Sequence, residues 1–168
     1  MRLKRRAQRR HRPEAILVVY SKLVHQRVIP MIGVLLITHG ALGTVLLANA
    51  AHVLGSVPSR AAAMNIAPTD RTEGRLAEAR GLVTALNDGD GVLVFTDIFG
   101  ATPANIAGCL LTSEKVEGIA GVSLPMLVKA LAYRTLPLAE VTAKALDGGA
   151  QGQIRIKEDC CHAAQGGS

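Results

Sequence analysis

The chain has 168 residues, of which 49% are hydrophobic and 2% aromatic, and this length makes one globular domain whose aliphatic core needs no disulfides. So few aromatic side chains exclude a base-stacking surface for single-stranded nucleic acid, and three cysteines fit a reducing compartment better than a secreted disulfide scaffold. The net charge of +6 does not make the domain a nucleic-acid binder, because residues 1–30 alone carry +8 and the rest is mildly acidic.

Residues 1–30 form a basic N-terminal extension that contains one short apolar run, Ala15–Tyr20. Six apolar residues are too few to span a membrane and are short for a signal-peptide core. We interpret the extension as disordered or as outside the native domain, with Met31 as the working start, because a clean strand pattern begins there. A basic arm for nucleic acid or anionic lipid is the alternative interpretation.

From Met31 onward, short apolar runs alternate with longer amphipathic stretches, which is typical of a parallel sheet covered by helices on both faces. The predicted fold is α/β, with a three-layer, open and mostly parallel sheet of strand order 2-1-3-4. In chain order the predicted elements are a strand at 32–38, a helix at 42–54, a strand at 63–67, a helix from Thr69 or Asp70 as N-cap to 86, a strand at 92–96, a helix from 102, a strand at 118–122, and helices at 125–133 and 138–146.

One face of the first predicted helix carries residues at helical spacing, and we expect this face to pack on the sheet. Its members are Leu42, Val45, Leu46, Asn49 and Val53. His52, at the margin of this face, is expected to be partly buried, and Cys109 is expected to be a core residue. No metal site is predicted at Cys160, Cys161 and His162, because adjacent cysteines lack the usual ligand spacing.

The stretch Gln153 to Lys157 alternates polar and apolar residues, as expected for a half-exposed edge strand. We predict that this strand is antiparallel and pairs either within the chain or across a dimer. The predicted domain therefore covers residues 31–158, and residues 159–168 are a flexible tail.

The predicted topology brings a histidine and a carboxylate together. In an open α/β sheet, ligands bind beyond the carboxyl ends of the strands, where neighbouring connections leave in opposite directions. For the order 2-1-3-4 this point lies between the first and third strands, which end next to His39 and Asp97. A carboxylate that accepts the proton of one imidazole nitrogen leaves the other as a more basic nucleophile. His39 is the predicted nucleophile, and an ordinary hydrogen-bonded histidine is the alternative.

The loop after this acid leads into a helix N-terminus, where unpaired backbone N–H groups, the helix dipole and a threonine hydroxyl favour an anion such as phosphate. The local chemistry therefore suggests a phosphoryl group carried on the histidine. The predicted phosphate-binding residues are Gly40, Gly100, Ala101 and Thr102.

Three segments also carry a resemblance to a known family: residues 32–40 (IGVLLITHG), 94–105 (VFTDIFGATPAN) and 121–127 (GVSLPML). The chain resembles the IIA component of the mannose/fructose-type phosphoenolpyruvate-dependent sugar phosphotransferase system over essentially residues 31–157. The resemblance implies a cytoplasmic phosphotransferase that accepts a phosphoryl group from the phosphocarrier HPr on His39 and passes it to a IIB component. It implies that Asp97 orients the ring and that the nitrogen facing away from this acid is phosphorylated.

The resemblance also implies a homodimer in which the last strand, 153–157, is exchanged and added antiparallel to the partner's sheet. Neither a metal nor another cofactor is expected, and the membrane is involved only through transporter components. Family members commonly have two glycines where this chain has Gly100–Ala101, and some have a hydroxyl residue in place of Ile98. We therefore expect fewer side-chain donors around the phosphate, with Thr102 and backbone amides supplying the contacts. The shape of the loop at Ala101 stays open from the sequence, because alanine does not adopt the positive φ that a glycine can take.

Two other roles for such a domain remain open from the sequence. It could be a stand-alone regulatory protein that signals its phosphorylation state by binding another protein, or the phosphoryl donor of a dihydroxyacetone kinase. A response-regulator-like receiver is disfavoured, because its Mg²⁺ site needs an acidic pair where this chain has Thr38–His39.

Overall fold

The computed structural model describes residues 31–156, and the basic extension and the C-terminal tail predicted above lie outside the described residues. Strands and helices alternate through this range until two helices end it. The elements are β1 (Gly33–His39), α1 (Leu42–Leu54), β2 (Ala61–Ile66), α2 (Thr72–Leu86), β3 (Val92–Thr96), α3 (Thr102–Gly108), β4 (Val116–Ala120), α4 (Leu124–Tyr133) and α5 (Leu138–Gln151).

The strands form one parallel sheet of order β2-β1-β3-β4, which confirms the predicted α/β fold and strand order. In the register, Val34 lies opposite Ala61 on one side and Leu93 on the other, and Val92 lies opposite Val116. β1 and β3 are therefore the central strands. Their residues are almost all buried, because helices cover both faces, and this is why these strands consist of continuous apolar runs.

A separate apolar core lies on each face of the sheet. On one face, alternate residues such as Leu36 and Phe95 pack beneath α1, α4 and α5. On the other face, residues such as Leu35 and Val94 pack beneath α2 and α3. The connection after β1 therefore crosses one face and the connection after β3 crosses the other. Their divergence opens the carboxyl edge of the sheet between these two strands.

Element boundaries differ from the predictions at the edge strands. β2 and β4 each begin two residues earlier than predicted, because pairing to β1 and β3 sets their ends. Helix α2 begins at Thr72, directly after Arg71, so neither Thr69 nor Asp70 is its N-cap. The Asp70 carboxylate accepts the Ala67 amide instead. Helix α5 continues past the predicted end at 146 to Gln151. Its Gly148 lies so close to α4 that a Cβ there would be 2.7 Å from the Cβ of Lys129.

The predicted packing face of α1 is mostly wrong: of its five residues, only Leu46 packs against the core, where it is partly buried. Leu42, Val45 and Val53 are exposed, at 42%, 52% and 58%. The residues that this helix buries fully are Gly43 and Ala50, because small side chains let the helix approach the sheet closely. His52, expected to be partly buried, is also exposed.

Two further expectations concern the ends of later elements. Cys109 was expected in the core and is exposed, because α3 stops at Gly108 and the cysteine follows its last turn. Residues 153–156 are exposed and form no strand with the sheet of their own chain. Pairing within the chain was therefore wrong for these residues, which follow the end of α5, where Gly152 packs against Pro125. Lys157 lies outside the described residues, and pairing across a dimer stays a prediction.

Candidate functional site

The predicted histidine and carboxylate lie side by side at the carboxyl edge of the sheet. His39 is the last residue of β1, and Asp97 directly follows β3. Because Ile37 pairs with Thr96 in the parallel register, the two chain segments leave the sheet together. The Nδ1 atom of His39 lies 2.9 Å from Oδ2 of Asp97.

The Asp97 carboxylate is held by three N–H groups. The backbone amide of His39 donates to Oδ2 at 3.0 Å, the His39 ring nitrogen Nδ1 lies 2.9 Å from the same oxygen, and the amide of Ile98 donates to Oδ1 at 2.9 Å. Burial by itself would raise the pKa of Asp97, but the hydrogen bonds from His39 and Ile98 lower it below the ordinary value. The acid is therefore ionised at neutral pH.

An ionised carboxylate can only accept hydrogen bonds, so the short contact assigns the proton of the His39 ring to Nδ1. The other nitrogen, Nε2, then carries the lone pair. Within residues 31–156, no hydrogen-bond partner holds Nε2. The histidine side chain is 44% exposed whereas that of the aspartate is only 9% exposed. The arrangement presents a basic nitrogen to solvent and keeps its orienting acid mostly buried.

The predicted phosphate-binding residues lie in the two turns that follow the strands. Gly40 follows His39 directly, while Gly100, Ala101 and Thr102 lead from Asp97 into α3. Gly100 has φ of +82°, a left-handed conformation that favours glycine. Ala101 is extended, with φ of −93° and ψ of 173°. Of these two residues, only Gly100 adopts a conformation that favours glycine, and the conformation of Ala101 is one that any residue adopts.

The loop also exposes two large apolar side chains next to the acid. Ile98 is 60% exposed and Phe99 is 87% exposed. Ile98 contributes its backbone amide to Asp97, and its side chain supplies no hydrogen-bond donor.

Sequence reasoning missed Thr38, the residue before the histidine. It is fully buried, and its Oγ1 accepts the amide of Gly43 at 2.7 Å. The sequence signal was a single hydroxyl residue near the end of an otherwise apolar strand, followed five residues later by a glycine.

Two properties of the described residues bear on other kinds of site. No three His, Cys, Asp or Glu side chains within residues 31–156 are grouped so that they could hold a metal ion. In the same part of the chain, no helix has the length and apolar character needed to cross a membrane.

Fold and site together define an α/β protein whose acid-oriented, solvent-facing histidine can act as a nucleophile. Residues 33–146 match the EIIA-man family, described as the PTS system fructose IIA component. The chain belongs to this family. It is 30% identical over 129 residues to the PTS system mannose-specific EIIAB component of Escherichia coli (strain K12), and the alignment covers 75% of this chain. The chain spans 40% of the length of that relative.

Solved structures with the same fold are also similar to this chain. The mannose/sorbose specific IIA subunit of the phosphotransferase system from Enterococcus faecalis superposes with a TM-score of 0.68 and 22% identity, covering 76% of this chain and 96% of that one. The phosphotransferase system component EIIA from Streptococcus agalactiae gives a TM-score of 0.66 and 22% identity, covering 74% of this chain and 97% of that one.

Proposed function

We propose that this protein is a phosphohistidine carrier of a sugar phosphotransferase system in the cytoplasm, accepting a phosphoryl group from HPr on Nε2 of His39 and passing it to a IIB component. The observation that carries the proposal is the 2.9 Å contact between Nδ1 of His39 and Asp97 on an otherwise exposed ring. Membership of the EIIA-man family supports the reaction class.

In the proposed reaction, the Nε2 lone pair attacks the phosphorus of the donor's phosphohistidine. An N–P bond forms on His39 as the donor's N–P bond breaks, and the donor imidazole leaves with the electron pair. The proton on Nδ1 of His39 stays in its hydrogen bond to Asp97. Transfer to the IIB acceptor repeats the same exchange, with His39 as the leaving group.

Asp97 supports both directions of this exchange. The imidazole gains positive charge when Nε2 bonds to phosphorus, and a nearby fixed carboxylate stabilises that charge. Because three N–H groups already hold the acid, it does not need to reorganise during transfer. Gly40, Gly100, Ala101 and Thr102 are the proposed phosphate contacts, through backbone amides and the threonine hydroxyl.

The openness of the site fits transfer between two proteins. His39, Gly40 and Gly100 are all exposed, so a partner's side chain can reach the ring without a conformational change. Phosphoryl transfer of this kind depends mainly on positioning and charge stabilisation, which a preformed histidine and carboxylate pair supplies.

The proposal includes a homodimer in which residues 153–157 of each chain add to the partner's sheet. The support is that Ile154 and Ile156 are 75% and 84% exposed in the single chain. β4 is an edge strand whose described pairing is to β3 alone, so its outer side can accept another strand.

Phosphorylation assayed by intact mass tests the carrier function. The full chain is incubated with phosphoenolpyruvate, enzyme I and HPr. We expect one phosphoryl group that is stable to base and labile to acid, as phosphohistidine is, and we expect His39→Gln to lose it. His52→Gln is the matched control, because His52 is exposed on α1, and it should be phosphorylated like the unaltered chain. A base-labile adduct, or an adduct retained by His39→Gln, would contradict the proposal.

A further inference from the structure

Two buried threonines each directly precede a residue of the proposed site. Thr38 precedes His39 on β1, and Thr96 precedes Asp97 on β3; their exposed fractions are 0% and 2%. The Oγ1 of Thr38 accepts the Gly43 amide at 2.7 Å. The Oγ1 of Thr96 has no hydrogen-bond partner in the described part of the chain. The two side chains therefore differ in whether their hydroxyl holds the backbone.

The hydroxyl of Thr38 takes the place of a helix cap. Helix α1 begins after Ala41, whose side chain cannot cap it. The Thr38 hydroxyl instead binds an amide in the first turn of the helix. The fit is tight, because a Cβ on Gly43 would lie 2.9 Å from that hydroxyl and 3.1 Å from the Cβ of Leu36. This contact fixes the start of α1 against the strand.

The hydrogen bond from Gly43 to Thr38 closes a short loop that contains the histidine. A second bond fixes the same loop, because the Gly40 amide donates to the carbonyl of Ile66 at 3.0 Å. The backbone around His39 is thus anchored on both sides. That anchoring matters for the acid, because Oδ2 of Asp97 receives both the amide and Nδ1 of His39.

We propose that Thr38 is a positioning residue for His39. Its hydroxyl holds the first turn of α1 so that the imidazole keeps Nδ1 on Asp97 and Nε2 toward solvent. The effect of Thr38 on the rate of phosphoryl transfer rests on the proposed function. Thr38 acts through the backbone of the Thr38–Gly43 loop.

Replacement of the hydroxyl by a methyl group tests this role. Thr38→Val keeps the shape of the side chain and leaves the buried Gly43 amide unpaired. We expect transfer from phosphorylated HPr to slow by about tenfold, the equivalent of one lost buried hydrogen bond. Thr38→Ser keeps the oxygen and should restore the rate. Thr96→Val is the matched control: it removes a hydroxyl that makes no hydrogen bond, so its rate should equal that of the unaltered chain.

The ¹⁵N chemical shifts of the His39 ring provide a readout that a general loss of stability would not move. In the unaltered chain and in Thr96→Val, the neutral ring should carry its proton on Nδ1. In Thr38→Val, the shifts should move toward the mixed tautomers of a free imidazole, and in Thr38→Ser they should return. If Thr38→Val does not fold, Gly43→Ala disturbs the same contact and should give the same shifts.

Three results would overturn the role of Thr38. They are an unchanged rate and tautomer in a folded Thr38→Val, equal effects of Thr38→Val and Thr96→Val, and a folded Thr38→Ser that behaves like valine. If the unaltered chain takes no phosphoryl group from HPr, that result contradicts the proposed function and not the role of Thr38. In that case the tautomer measurement still decides whether Thr38 positions the ring.

Discussion

A single carboxylate determines which nitrogen of His39 is hydrogen-bonded and which faces solvent. Asp97 is nearly buried, and it keeps its charge because N–H groups of His39 and Ile98 hold both of its oxygens. Two of these groups belong to the histidine itself, so acid and ring are fixed as a unit. The structure therefore already fixes Nε2 as the ring nitrogen that faces solvent, before any partner binds.

The lowered pKa of Asp97 has a consequence for stability that depends on pH. A carboxyl group whose pKa falls on folding contributes stability above its ordinary pKa of 3.8, and this contribution is lost as the pH falls through the lower value of the folded state. We expect the unaltered chain to exceed Asp97→Asn in free energy of unfolding by a margin that is constant down to about pH 5 and shrinks below about pH 4. Urea unfolding of both proteins measures this margin; a margin that stays the same or grows on acidification would contradict the hydrogen-bonded, ionised acid.

The histidine and its acid could be predicted from the sequence because a topological rule places the ends of β1 and β3 together. Thr38 could not be predicted in the same way. Its partner is a backbone amide five residues ahead, and that contact exists only because Gly43 and the strand approach each other closely. A hydroxyl at the end of a strand can form a hydrogen bond with several nearby backbone groups, and the packing of the fold decides which one.

Among the elements, the bounds of the central strands β1 and β3 were predicted closely. The bounds of the edge strands and the packing face of α1 were predicted less well. β1 and β3 are buried on both faces, so their apolar runs mark their extent. The edge strands β2 and β4 contain small or polar residues, and pairing to their neighbours decides where they begin. In α1, three large apolar residues of the predicted face are exposed, because Gly43 and Ala50 make the close approach to the sheet.

The orientation of α1 makes a prediction about its two faces. Ala50, on the face of α1 that packs against the sheet, is fully buried in the core, whereas Val53 is 58% exposed. Ala50→Val adds volume to a packed interior and should lower the free energy of unfolding by about 1–3 kcal/mol. Val53→Ser should change it by less than about 0.5 kcal/mol. Chemical denaturation of both variants gives the comparison, and an equal loss from each would mean that α1 is rotated relative to the sheet.

At the scale of the whole molecule, the proposed exchange of C-terminal strands determines the oligomeric state. The apolar residues Ile154 and Ile156 alternate with Gln153 and Arg155, so the two pairs occupy opposite faces of an extended segment. We expect the unaltered chain to be a dimer and the double variant Ile154→Asp/Ile156→Asp to be a monomer, because charges replace the side chains that the partner would bury.

Light scattering after size-exclusion chromatography measures the molar mass of each protein and so distinguishes dimer from monomer. Gln153→Asp/Arg155→Asp is the matched control, since it adds negative charge on the other face and should remain a dimer. A monomeric unaltered chain, or two double variants with the same mass, would exclude an exchange that depends on the apolar face.

The position of the phosphoryl group on the His39 ring provides the sharpest test of transfer through this site. The full chain, labelled with ¹⁵N in histidine, is phosphorylated by phosphoenolpyruvate, enzyme I and HPr, and its imidazole nitrogens are observed by NMR together with the ³¹P signal. Because Asp97 holds Nδ1, we predict phosphorus bonded to Nε2 of His39 and no change in His52. A phosphoryl group on Nδ1, on Asp97 or on another histidine would contradict the proposed carrier.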